Sequence, residues 1–600
     1  MRDRSMVQTE VTWDLSELFP SLDHISIEKA IFEVSALAEA FKQKYKGKIY
    51  SFTPKSLLCC IEELETFKAK LQTLSLYAPL SFSADLTSFK TQELYDRVNK
   101  LEARLGKQLT FFQIELADLI AKHPQFIVDP VLANYKHWLE RVRRRATHLL
   151  SEVEEQLLIE KDQFGVNAWE DLQRKWLNTR LFEVTVLGEK KLLSYGEANG
   201  LLSHPDRTTR ESANRVIYGV LGKDGEIFAA ALRNICNDWV RVSEWRGYDS
   251  PMESSFLSND VTQPVVDNLL RTVEENVSLY RRYLQVKARL MGLPLLGNHD
   301  LTAPLPSAPL FRFTFEDAQR LVVRAYSNFD DEYATAVKEI FSKRHIDAFP
   351  RFGKRNGAFC AGWYSGKSSF ILGNFSGSLN DVFTLAHELG HATHNYYAQR
   401  SQTILNLSIP SVVAETASIF GELLLTDLLL AEAKSDEERQ ALLCLVLDEA
   451  GMVIFQVTAR VWFEQALYDS VQKGEYLDYS VICNHWVAAR DRIYGDVVEW
   501  FPELKAEWTI KPHYYMPNYR FYNYPYVYAQ LFVYALYESY LEEDKLFVSK
   551  LKRGLSAGGS LSPEQIGNLV GLDVTQSGFW QVGVKRFEHF LVELETIVGK

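Results

Sequence analysis

"DVFTLAHELGHATH", residues 381–394, sets three histidines and a glutamate within eight positions of a chain that holds 13 histidines among 600 residues. A helix start precedes it: Ser378, followed three residues on by Asp381, has the form of a capping box, and no proline interrupts the run to Arg400. On such a helix His387 and His391 stand one turn apart, about 6 Å along the axis and about 40° around it, so both imidazoles can reach one zinc ion at about 2.0–2.1 Å. Glu388 lies about 100° round from His387, beside the ion rather than on it. Val382, Leu385, Leu389, Ala392 and Tyr396 project opposite His387 and make an apolar back for packing on a core.

Two residues compete to be the third ligand. His394 shares the face of His387 but sits about 10 Å along the axis from it, a poor reach for one tetrahedral ion. Glu415 is the better candidate. It falls in "SVVAETASIFGELLLTDLLLAEA", read as one helix after a turn at "LSIP", where Ser411, Glu415, Ser418, Glu422 and Thr426 form a narrow polar stripe opposite Val413, Ala417, Phe420 and Leu424. The 24 residues from His391 to Glu415 suffice for one helix to end and a second to return. Glu422 is read as a support behind the ligands or a structural acid.

The rest of the chain bounds the possibilities. Its 600 residues exceed what one core holds, so two or more domains are expected. A formal charge of −12 opposes a nucleic-acid partner, and the basic run 141–145 reads as a solvated helix face. Six scattered cysteines form neither a metal spacing nor a disulfide framework, which fits a reducing cytoplasm. The first residues lack a signal-peptide core, and "FGELLLTDLLLAEA" is broken by acids, so no membrane association is expected. Helical periodicity dominates from 25 to 175, a β-like stretch follows at "RLFEVTVLGEKKLLSY", and a helix start near Ser203 suggests a boundary. The division expected is an N-terminal helical domain over 1–200 and a catalytic domain over 201–600. "LPLLGNHDLTAPLPSAPL" reads as a loop, and "AFCAGWY" with "SSFILGNF" as a β-hairpin just before the histidines.

From 350 to 540 the chain resembles the oligoendopeptidase F family of zinc oligopeptidases, whose relatives include thimet oligopeptidase and neurolysin. The resemblance rests on "FCAGWYSGKSSFILGNFSGSLNDVFTLAHELGHATH", "ETASIFGE" and "HYYMPNYRFYNYPYVYA", with "WDLSELFP" at 13–20 similar to the family's usual opening. It implies a mainly α, two-lobed, neurolysin-like metallopeptidase with a deep channel and a small β-sheet next to the histidine helix, cleaving oligopeptides rather than folded proteins. It carries one zinc ion onto His387, His391 and Glu415, the general base onto Glu388, and transition-state donors onto His513, Tyr522 and Tyr526. Related enzymes often have glycine in the loop after that histidine, whereas Met516-Pro517-Asn518 has none.

The function expected is zinc-dependent endopeptidase action on internal bonds of oligopeptides, with a zinc-activated water and Glu388 as base. The alternatives are an exopeptidase, carboxypeptidase-like, on the same scaffold, or a non-catalytic peptide-binding protein. Substrate is expected to add as a strand along "SSFILGNF". Arg520 is read as a surface ion pair sooner than a carboxylate binder. Oligomeric state is left open by the sequence.

Overall fold

Strand alternation between residues 346 and 372 decides where the histidine helix rests. In the computed structural model, which describes residues 11–306, 311–517 and 519–599, Phe359–Trp363 pairs antiparallel with Ser368–Leu372, and Ile346–Asp347 joins the latter in parallel on its other side. The first ten residues, 307–310 of the proline-rich loop and Asn518 of the glycine-free loop lie outside the described residues. Because successive side chains in a strand point to opposite faces, Trp363, Phe370 and Leu372 enter the core built by the N-terminal helices. Cys360, Gly362 and Ser369 face the histidine helix instead, where Asn395 donates to Ser369 Oγ at 3.1 Å.

The expected hairpin is therefore present, but its binding edge differs from the one inferred. Ser368–Leu372 is the central strand and wholly buried, with a neighbour on each side, so it offers no edge. Among the described residues the sheet's outer strands are Ile346–Asp347 and the longer Phe359–Trp363.

The histidine helix runs unbroken over Leu379–Ser401. Ser378 caps it: its hydroxyl accepts the Asp381 N–H at 3.2 Å, while Asp381 accepts the N–H groups of Ser376 and Ser378 at 2.9 Å each. Val382, Leu385, Leu389 and Ala392 are buried as the apolar back requires, whereas Tyr396, expected on the same face, is only half-buried. The second helix departs from expectation. It is interrupted at Glu415, giving Ser411–Ala414 and then Thr416–Glu432. Glu415 takes φ −85° and ψ 8°, the sparsely populated bridge between helix and strand. Side chains satisfy the interrupted ladder, with Thr416 Oγ1 donating to the Val413 carbonyl at 2.6 Å.

Two compact units divide the chain, each assembled from three segments. The first comprises Met1–Ala146, Leu310–Leu428 and Ser539–Leu572, joining the helices Ile25–Tyr45, Pro54–Ala84 and Phe89–Lys122 to the sheet and the histidine helix. The second comprises Thr147–Pro309, Leu429–Glu538 and Asp573–Lys600. It holds the hairpin Phe182–Val186 with Glu189–Leu193 and the helices Gly225–Trp245, Tyr479–Tyr494 and Ser577–Val598. The boundary expected near residue 200 falls inside this unit's first segment, because compactness follows which segments share a core rather than chain order. The run Asp436–Gln472 is long and apolar enough, by length and composition, to cross a membrane; its most apolar 18-residue stretch is 61% buried, and its first part, Asp436–Gly451, packs on Ser577–Val598.

Removing the cap is expected to loosen the histidine helix. Ser378→Ala should lower stability by about 1 kcal/mol, read as a shifted denaturant midpoint with unchanged slope.

Candidate active site

Two rods of backbone touch at one glycine, and the site is built from that contact. A Cβ on Gly390 would stand 2.4 Å from the Ala417 carbonyl oxygen and 2.5 Å from Ser418 Cα, so only glycine lets the histidine helix lie directly on the helix that follows Glu415. Tyr326, fully buried, fixes the same crossing: its hydroxyl donates to the Ala386 carbonyl at 2.8 Å, in space that a Cβ on Gly421 would occupy.

This approach brings together His387, His391 and Glu415. Each Nε2 lies 3.2 Å from the same oxygen, Glu415 Oε2. Behind them Glu422 Oε1 is 3.0 Å from His387 Nδ1, and Ser418 donates to Glu415 Oε2 at 2.6 Å. Burial alone would neutralise His387, but Glu415 and Glu422 outweigh it and hold the imidazole well above its usual range. Glu415 is the converse: against its burial, the two imidazoles hold its carboxyl far below the usual carboxylate range.

The donor set suits a divalent cation. Tetrahedral ligands about 2.0–2.1 Å from zinc are about 3.3 Å apart, close to the separations here and longer than a charge-assisted N–H···O bond of about 2.7–2.9 Å. A Nδ1–H bond from His387 to Glu422 leaves the Nε2 lone pair for metal. Carboxylates at 388, 415 and 422 beside two imidazoles also favour added positive charge.

Glu388 is buried, and its Oε2 has no hydrogen-bond partner among the described residues. Burial pushes its carboxyl above the ordinary value, with His387 and His391 opposing. It borders a cavity of about 410 Å³ lined also by Phe359, Cys360, His391, His394 and Asn395. His394 stands apart from the three-residue group; burial pushes its imidazole down to about 4.

His513, Tyr522 and Tyr526 belong to the second unit, where they pack on one another. His513 stacks on Tyr522 at 5.9 Å between ring centroids, and Tyr526 meets both edge-on at 6.2 and 5.5 Å. The tyrosine-rich segment thus sorts into two sets. Tyr514, Tyr515, Tyr524 and Tyr528 are core residues, while Tyr519 and Tyr526 are exposed and Tyr522 half-buried. Arg520 is a correction to the surface ion pair expected: it is 5% exposed and donates to the Tyr514 carbonyl at 2.9 Å.

Sequence reasoning passed over Gly390 and Tyr326, because a helix crossing is a property of the packed pair. Within "HELGH" the glycine, a poor helix former, was the available signal.

Known families and proteins are similar to this chain over most of its length. The Peptidase family M3 model matches residues 200–585, and the Oligopeptidase F model matches 121–176. Oligopeptidase PepF of Bacillus subtilis is 28% identical over 606 aligned residues, covering 100% of this chain and 89% of its own. Group B oligopeptidase PepB of Streptococcus agalactiae is 27% identical, covering 100% and 99%. A solved structure from Chlamydophila abortus superposes with a TM-score of 0.85 at 24% identity over 99% of this chain and all of the other. Oligoendopeptidase-F from Enterococcus faecium gives 0.71 at 24% identity over 96% and 99%.

Two variants probe the metal group. Gly390→Ala should force the helices apart, destabilise by about 1–3 kcal/mol and weaken zinc binding in a chelator-competition titration. Glu422→Gln should leave the fold intact and lower zinc affinity roughly 10- to 100-fold in the same titration.

Proposed function

The chain belongs to peptidase family M3 and is a metalloendopeptidase of the oligoendopeptidase F kind, and from that premise we propose that it hydrolyses internal bonds of oligopeptides with one zinc ion held by His387, His391 and Glu415. The observation that carries this reading is the pair of Nε2 atoms sharing Glu415 Oε2, with Glu388, next in sequence to His387, lining one cavity with His391. The family is zinc-dependent in general, which supports zinc over other divalent ions.

Zinc, when bound, supplies a Lewis acid that lowers the pKa of water and polarises a carbonyl. The remaining work falls to the chain. Glu422 holds His387 in the tautomer that presents Nε2. Glu388 takes a proton from the attacking water and returns it to the departing amine, and burial suits it to both roles by lifting its proton affinity. His513 and the phenols of Tyr522 and Tyr526 donate to the carbonyl oxygen as charge gathers on it. Burial, with Arg460 and Lys511 nearby, pushes the His513 imidazole below its usual range, so near neutrality it donates as a neutral N–H. Substrate backbone pairs with the outer side of Phe359–Trp363, the longer of the sheet's two outer strands, which binds extended peptide with little sequence preference. The six cysteines are free, in keeping with action in a reducing cytoplasm.

The experiment is metal analysis joined to cleavage of peptides blocked at both ends. Wild type should cut them and lose activity on chelation, and zinc should restore it. Glu388→Gln should keep one equivalent of zinc while turnover falls roughly 10²- to 10⁴-fold. Wild-type turnover in that variant would remove Glu388 from the mechanism. Cleavage confined to unblocked peptides would instead mark an exopeptidase.

A further inference from the structure

We propose that Glu464 is a positioning residue for the aromatic donor segment: reaching from the helix Val457–Gln472, its carboxylate clamps the residues on either side of Tyr522 and so sets where that phenol points. The inference rests on the reading that Tyr522 acts on substrate. Glu464 is 1% exposed, in the middle of an apolar helix. Its Oε1 accepts the Phe521 N–H at 2.7 Å, and its Oε2 faces Asn523 Nδ2 at 3.4 Å.

The backbone between these contacts explains why a clamp is needed. Phe521 adopts φ +53°, a left-handed conformation that favours glycine, and it is the residue immediately before Tyr522. Buried and half-exposed residues follow one another along the segment. Arg520, Phe521, Asn523 and Tyr524 turn inward, whereas Tyr519, Tyr522 and Tyr526 turn out and join His513. The inward residues are held by Glu464, by Tyr468 packing on Phe521 at 5.0 Å, by Ser255 donating to the Phe521 carbonyl at 3.3 Å, and by Arg520 donating to the Tyr514 carbonyl. Of these anchors only Glu464 can change its charge and stay in place.

Burial pushes the Glu464 carboxyl up to about 7, opposed by the Phe521 N–H, Arg520 and Asn523. The other groups facing it are Cys236 on the helix Gly225–Trp245, Tyr514, and Tyr468 on its own helix; burial pushes Cys236 up to about 12 and both phenols well above their usual value. None of these three titrates near neutrality. Protonated, Glu464 would set an O–H or a weaker acceptor against two donors, and the clamp loosens. The stability effect runs the other way. A raised folded pKa means the folded chain holds this proton more tightly than the unfolded chain. The group's contribution to stability is therefore greatest below the ordinary carboxylate value and falls as pH rises towards about 7. A rise in kcat across that window would therefore not come from this group stabilising the fold.

The test uses full-length, zinc-loaded enzyme, with hydrogen exchange as the readout independent of activity. In wild type, exchange of 519–526, corrected for intrinsic rate, should slow as pH rises through neutrality while 457–472 stays protected. Glu464→Gln should exchange fast at every pH, keep one equivalent of zinc, and lose roughly 10- to 100-fold in kcat with KM within about twofold. Its acid limb near neutrality should vanish. Asn523→Ala, which removes one arm of the clamp, should move both readouts the same way by less, and it decides the matter if Glu464→Gln does not fold. Unchanged exchange and an unchanged pH profile in the folded variant would overturn the proposal. Tyr522→Phe separates the two readings. Full activity there, with a loosened segment in Glu464→Gln, sinks the donor role and leaves the clamp. An inactive Tyr522→Phe beside an unaffected Glu464→Gln does the reverse.

Discussion

Backbone-to-backbone contact at Gly390 is the constraint on which the site depends. Two helices normally pack about 8–10 Å apart, a distance set by the side chains between them. Removing the side chain at the crossing lets Ala417 and Ser418 approach the histidine helix directly. Glu415 stands two residues before Ala417, so that approach places its carboxyl where the two imidazoles can share it. The interruption of the second helix at Glu415 belongs to the same solution. A residue in the bridge region can turn its side chain away from the direction a regular helix would impose, and the Thr416 hydroxyl donates to the Val413 carbonyl at the break.

Electrostatics then separates the acids by their surroundings. Glu415 lies between imidazoles and Glu422 behind one, so both have partners for their charge. Glu388, one residue from His387, is buried with one oxygen unmatched, and so its affinity for a proton rises. Glu415 and Glu388 thus differ through packing, since the side chains are chemically identical. The strand alternation that sends Phe370 into the N-terminal core and leaves Cys360 facing Asn395 encloses the cavity bordered by Glu388.

The histidine helix was legible because its evidence is local: a cap at Ser378, an apolar back and two histidines one turn apart all lie within the 19 residues 378–396. The hairpin was legible for the same reason. What stayed hidden is non-local. That Ser368–Leu372 is central and not an edge depends on Ile346–Asp347, a two-residue strand too short to show any period. The compact units could not be read from chain order, because Trp363 and Phe370 complete a core begun by Val34 and Leu57. The break at Glu415 escaped because the polar stripe fits a straight helix equally well from Ser418 onward. The tyrosine-rich segment showed its density but not its sorting, since core and exposed tyrosines have identical local composition.

That segment reaches a defined shape by a different route from the helix crossing. Where Gly390 permits close approach at no steric cost, Phe521 takes up a left-handed conformation that costs a non-glycine residue about 1–3 kcal/mol. A hydrogen bond to a charged acceptor contributes about 1.5–3 kcal/mol, and one to a neutral acceptor about 0.5–1.5. The ionised Glu464 can therefore offset the strain, whereas the neutral acid falls short over much of that range. A glycine in place of Phe521 would remove the strain and with it the need for the acid, but it would also leave the turn free to sample both signs of φ. The chain instead couples a strained residue to a buried acid, which confines the segment to one arrangement when the acid is charged. The buried carboxylate, a net cost to the fold above neutrality, is then intelligible as the means of fixing Tyr522.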